Sequence, residues 1–249
     1  MSDLSPSFVT SIAQALNSTH VPCVLWGHYL LNVHGVPSII GSIDFVIPDG
    51  CLQAGVKALS QTSRITPCQH GETCPSGPQE RYTPPPAFHM HVEASEVAVG
   101  LYVQSETLWF LPALDESLLC PQKPKLPPYL VLASDQTVLP PWRPGRGSGV
   151  FERIEHPVVI PQSIVLLEAF LRLYARDSAK RIGSFAMPMI GYMEQYVDDD
   201  GFLDAKQLPE PLRTFYMELR EGKKPVRQWT KELKRALGMP DEDPEDHPK

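Results

Sequence analysis

VLWGHYLLNVHGVPSIIGSIDFVIPD, residues 24–49, decides how the chain is read. The β-branched and aromatic run VPCVLWG (21–27) reads as a strand that stops at Gly27. Tyr29, Leu30 and Val33 then recur at helical spacing, and Gly35 can close that short helix. SIIGSIDFVIPD (38–49) is a second apolar run, carrying Asp44 and ended by Pro48, Asp49 and Gly50. The order is therefore strand, glycine, helix, strand, with a single carboxylate on the second strand.

Working outward, residues 5–17 place Phe8, Ile12 and Leu16 on one helical face, with Ser5 as N-cap and Pro6 at the first helical position. Residues 51–63 give a second short helix with Leu52, Val56 and Leu59 on its apolar side. From 64 to 87 the pattern dissolves into Pro, Gly and Cys and reads as a loop. Residues 88–111 alternate as a strand pair with a turn near Ala94-Ser95, and a third strand is expected through Leu108 to Leu111. The strongest helix is 163–177, with Ile164, Leu167, Leu171 and Tyr174 in a stripe and Glu168 four residues before Arg172. A helix over 184–196 is interrupted by Pro188 and ended by Asp198-Asp199-Asp200-Gly201, and two more close at Gly222 and Gly238. The expected fold class is α+β: a small mixed β-sheet with flanking helices, then a helical C-terminal part. The expected division is an α/β core over 1–120, a proline-rich connector over 121–160, a helical subdomain over 161–238 and an acidic disordered tail over 239–249. The binding site is expected in the cleft between core and helical part.

Composition excludes several classes. With 42% hydrophobic and 20% charged residues the chain is globular rather than disordered, and 27 prolines in 249 residues rule out a long helical bundle. The net charge of -7 includes five acids against Lys249 in the tail, so the body holds only -3 and no strong field favours nucleic acid or membrane. Five cysteines make an odd count, and MSDLSPSF has neither the basic nor the apolar part of a signal peptide, so a reduced, cytoplasmic chain is expected. Apolar stretches fall well short of the ~20 residues that span a bilayer, and no membrane partner is expected.

Trp26-Gly27-His28, thirteen intervening residues, and Ser42-Ile43-Asp44-Phe45 resemble the pattern of the nucleotidyltransferase fold. In that family a glycine opens a helix N-terminus towards triphosphate, and two acids separated by one apolar residue point to one side of a strand and hold Mg²⁺. The resemblance implies Asp44 as metal ligand and catalytic acid and Glu93, from a later strand, as its catalytic partner, with Glu96 as substitute. Gly27, His28 and Ser42 would contact the substrate, a nucleotide or other small molecule. His28 replaces the usual small residue and Ser42 the first acid, which leaves a second metal little to hold it. The alternative for each alone is structural: Asp44 capping a strand end, His28 satisfied by backbone.

Over nearly its full length the chain resembles nucleotidyltransferase-like proteins of filamentous fungi, through VLWGHYLLNVHGVPSIIGSIDFVIPD, PVVIPQSIVLLEAFLRL and LPEPLRTFYMELREGKKPVRQW. That resemblance implies a transferase, if active, of secondary-metabolite biosynthesis. Fungal proteins of similar organisation make arginine-containing cyclodipeptides from aminoacyl-tRNA, but their acidic motif of two Asp, two variable residues and Glu has no counterpart here. A non-catalytic interaction module on the same scaffold is the third possibility.

Three further groups carry chemistry. Cys68, His70, Cys74, His89 and His91 are zinc-binding residue types, yet they match no tight Cys-pair spacing and are expected to be unliganded. Residues 213–235 hold eight basic groups against three acids and could bind tRNA, although a solvated face is the more ordinary reading. Asp198-Asp199-Asp200-Gly201 lacks the alternating acids and distal Glu of a calcium loop and reads as a helix end.

Overall fold

Residues 4–69, 74, 76, 83–121, 125–152 and 156–240 are described by a computed structural model. His70 and the acidic tail from Asp241 onward lie outside the described residues. Backbone contacts divide the chain into two units, residues 1–80 with 85–162 and residues 81–84 with 163–249.

The first unit is built on β1 (Val24–Trp26), β2 (Ser42–Ile47), β3 (Ile65–Pro67), β4 (Phe88–Val92) and β5 (Ala98–Val103), which form a mixed sheet ordered β1-β2-β5-β4-β3. Only β2 and β5 run parallel. Every residue of β2 is buried, as a strand covered on both faces must be.

Helix α1 (Pro6–Ser18) starts where Ser5 Oγ accepts the Phe8 N–H and Pro6 supplies the first turn. Helix α2 (Gly27–Val33) follows β1 with no linker, because Gly27 turns the chain at a φ of +68°. Helix α3 (Leu52–Ser60) brings Gly55 against Leu16, Ile47 and Leu101. That contact fixes which face of the sheet is hydrocarbon. Strand alternation and register put Leu25, Ile43, Phe45, Ile47, Val99, Leu101 and Met90 on it. The opposite face carries Trp26, Ser42, Asp44, Ala98, Gly100, His89 and His91.

Two expectations change here. The loop expected over 64–87 contains an edge strand, β3, whose Pro67 is tolerated because an edge needs no further donor. In place of the strand expected through Leu108 to Leu111, a short helix, α4 (Gln104–Thr107), is followed by turns. Buried Gln104 causes this: its Nε2 donates to the Pro112 carbonyl at 2.8 Å and its Oε1 accepts from Leu114 N at 2.9 Å, folding the segment back on itself.

The proline-rich 121–160 stretch belongs to the first unit. Its β6 (Leu130–Leu132) pairs antiparallel with β7 (Val159–Pro161), and Leu130, Val131, Leu139, Phe151 and Ile160 are buried. Buried His34, at the end of α2, donates its Nε2–H to the Pro161 carbonyl at 3.0 Å.

The second unit is helical. Helix α5 (Ser163–Asp177) has the expected bounds and its Glu168–Arg172 pair closes at 2.7 Å. Helix α6 (Ala186–Met193) keeps Pro188 in its first turn, where a missing N–H is not needed, and a π-turn over Glu194–Asp198 ends the run. Helices α7 (Leu212–Arg220) and α8 (Val226–Ala236) form a hairpin in which buried Trp229 donates its indole N–H to the Phe215 carbonyl at 2.8 Å. No helix among the described residues is long and apolar enough to cross a membrane.

Candidate functional site

Two strand pairs meet on the polar face of the sheet. Asp44 is opposite Trp26 on one side and Gly100 on the other, and Gly100 is opposite His89, so Asp44, Gly100 and His89 share a row. Ser42, Ala98 and His91 share the next. At about 4.8 Å between neighbouring strands, the Asp44 and His89 backbones are separated by about 10 Å.

The first pair is closed. Ser42 donates its hydroxyl to Asp44 Oδ2 at 2.6 Å, with the two residues only 4% and 3% exposed. The carboxylate fills the space that side chains would need at two glycines: a Cβ on Gly27 would lie 2.6 Å from Oδ2, and one on Gly100 would collide with Oδ1. Pro86 covers Gly100 from outside, 3.3 Å from that same Cβ position. Gly27 thus serves both the turn and the carboxylate, and Gly27, Ser42 and Asp44 are brought together. His28 turns its Nδ1 to Ser38 Oγ at 2.6 Å, while Asn32 Nδ2 donates to the Ser38 carbonyl at 2.8 Å, so both tie the connection between α2 and β2.

Glu93 is not brought to Asp44. It is exposed at the end of β4, where its N–H donates to the Arg64 carbonyl at 2.8 Å. It lies four residues beyond His89, hence about 13 Å along the strand from Asp44's row. Glu96 is exposed on the same hairpin. The strand beside Asp44 presents Gly100 and Ala98, which offer no donor. A magnesium ion in such a site takes one or two carboxylates and keeps several waters. One carboxylate already bound by a hydroxyl and enclosed by Gly27, Gly100 and Pro86 does not fit it.

The second pair is convergent. His89 and His91 stand on one face of β4 at alternate positions, their rings edge to face at 5.5 Å. Cys68 directly follows Pro67, which is opposite Met90, so the antiparallel register carries Cys68 towards His89. Fully buried Cys74 lies with its Sγ 3.3 Å from Nε2 of both histidines. One ligand atom from each of Cys68, Cys74, His89 and His91 lies within 4.8 Å of the others. Burial pushes the Cys74 thiol above its ordinary pKa; the Ser76 N–H pulls the other way, and the Cys68 thiol adds to the rise.

Four of the eight basic groups in the 213–235 stretch of the second unit are held by acids. Lys224 is held between Glu218 at 2.9 Å and Glu232 at 2.5 Å, and Arg213 pairs with Glu210 at 2.5 Å. Lys223 pairs with Glu221, and Arg220 reaches Asp198 and Asp199 at 2.6 Å each. Asp198 also accepts from Tyr216 at 2.8 Å, so these aspartates close a helix end.

Comparison with family models, with curated proteins and with solved structures returns no match to this chain. Its chemistry therefore rests on the geometry above.

Proposed function

We propose that the chain is a nucleotidyltransferase-like scaffold that works as a non-catalytic interaction module in the cytoplasm, not as a magnesium-dependent transferase. The observation that carries this reading is the 2.6 Å hydrogen bond from buried Ser42 to buried Asp44. In a working site of that kind the position of Ser42 would be a second carboxylate, and the two would share metal ions over an open substrate groove. Here the hydroxyl donates to the surviving acid, Gly100 and Ala98 stand beside the pair, and the acid supports the sheet. The antiparallel β1–β2 pair, the glycine turn into α2 and the parallel β5 support the scaffold half of the reading.

Thermal unfolding of the full chain with each nucleoside triphosphate, with and without Mg²⁺, tests it. The expected result is no Mg²⁺-dependent shift, and a lower unfolding temperature for Asp44→Asn in every buffer. A Mg²⁺-dependent stabilisation by a triphosphate that Asp44→Asn abolishes would overturn the proposal.

A further inference from the structure

We infer that Cys68, Cys74, His89 and His91 bind one zinc ion in a closed tetrahedral site that fastens Cys74 to the β3–β4 edge of the sheet. Two thiolates and two imidazoles are the donor set that selects zinc over the oxygen-seeking cations. Zinc–sulfur bonds of about 2.3 Å and zinc–nitrogen bonds of about 2.0–2.1 Å set ligand–ligand edges of about 3.3–3.8 Å in a tetrahedron. The two Cys74–histidine edges are 3.3 Å, and all four donors fall within 4.8 Å of one another. Closing the remaining edges, none longer than 4.8 Å, to these values takes changes of up to about 1–1.5 Å and completes the site.

The fold explains how residues so far apart in sequence converge. A His-x-His pair on a strand presents both rings to one side, and the β3–β4 register delivers Cys68 beside the first of them. Cys74 then closes the fourth corner. Four protein ligands leave no position for water or substrate, so the site is structural rather than catalytic. Its formation releases protons from both thiols, and the energy of binding adds to that of folding. This inference stands independently of how Asp44 is read.

Metal analysis of the full chain, expressed with zinc and purified under reducing conditions without chelator, tests it. About one zinc per chain is expected, falling below about a tenth in Cys74→Ser and in His91→Asn and remaining near one in Cys51→Ser and Cys120→Ser. Replacement by Co²⁺ should give the intense visible bands of a tetrahedral, thiolate-ligated ion. Zinc below about a tenth in the wild-type chain, with none retained after reconstitution of the reduced protein, would overturn the inference. So would zinc content unchanged in both ligand variants, which would mean an adventitious ion only, or a Cys68–Cys74 disulfide in the protein as purified. Where a ligand variant does not fold, the wild-type stoichiometry and the cobalt spectrum still decide.

Discussion

Ser42 with Asp44, and His91 with His89, are two pairs of the same design: alternate residues on a strand, on the same face of one sheet, in the same two rows. What differs is what each pair meets. The carboxylate turns inward on its own strand, accepts from Ser42 and packs on two glycines. The imidazoles turn towards two thiols that arrive from other segments of the chain. Spacing along a strand thus nominates residues for chemistry, but the partners that close over them decide between support and ligation.

The largest test of this contrast is at Gly27. In Gly27→Ala the backbone stays at +68°, where a Cβ costs about 1–2 kcal/mol. Crowding of the carboxylate adds about 1–3 kcal/mol. A loss of about 4 kcal/mol in chemical denaturation is expected. In an Asp44→Ala background only the backbone part should remain, so the double-mutant cycle should show coupling of about 2 kcal/mol. Strict additivity would mean that the carboxylate does not need the glycine, and the closed half of the comparison would fail.

A third imidazole calibrates the pair on β4. His34 is buried without a cluster of thiols, and desolvation, partly opposed by the Pro161 carbonyl, lowers its pKa to about 4. The folded state therefore binds its proton later than the unfolded chain, whose value is about 6.5. Its contribution to stability is complete above that value and is lost as pH falls from about 6.5 to about 4, amounting to about 3 kcal/mol. Denaturation across this window should show the wild type losing that much more than His34→Gln. Parallel curves would mean that His34 takes up its proton in the fold as readily as in the unfolded chain. Acid sensitivity that persists in His34→Gln and vanishes on metal removal belongs to the Cys/His cluster.

Ser42 gives the next effect. Ser42→Ala takes the hydroxyl from a buried carboxylate and should cost about 2 kcal/mol, with no gain or loss of zinc. Ser42→Asp restores the acid pair that the resemblance implies. Two buried carboxylates at alternate positions repel, so this variant should be less stable in chelator and recover with Mg²⁺, where the wild type shows no response. A magnesium response in the wild type would erase the difference between an open acid pair and the closed one.

How much of this was legible in sequence follows the range of the interactions. Helix α5 and the Gly27–Asp44 relation depend on neighbours within a turn or across one connection, and the apolar spacing of residues 163–177 and the stretch 24–49 carry them. Glu93 is expected on a later strand, and that strand exists, yet its distance from Asp44 depends on the β4–β5 register, which no single segment encodes. The Cys/His cluster was visible as residue types but not as a site. Its second thiol is spaced by five residues from the first, and the first depends on pairing of β3, a strand too short and too rich in polar neighbours to announce itself. The one available signal was His-x-His on an alternating run. The strand expected at Leu108 was lost to Gln104, a buried amide whose preference for backbone partners outweighs local β propensity.

The smallest expected effects lie on the second unit, where the same lesson holds for charge. Residues 213–235 carry a net +5 in sequence, yet acids within hydrogen-bonding reach hold Arg213, Arg220, Lys223 and Lys224. Pairs of this exposed kind contribute little individually, so Lys223→Ala and Arg213→Ala should change stability by less than about 0.5 kcal/mol. Phosphates would have to displace the acids before counterion release could drive binding. Titration with tRNA should accordingly show weak association at low salt and none near physiological ionic strength. A steep salt dependence, with slope reduced by about one on removing Arg213, would instead make this surface a nucleic-acid site and show that partnered charge can still be recruited.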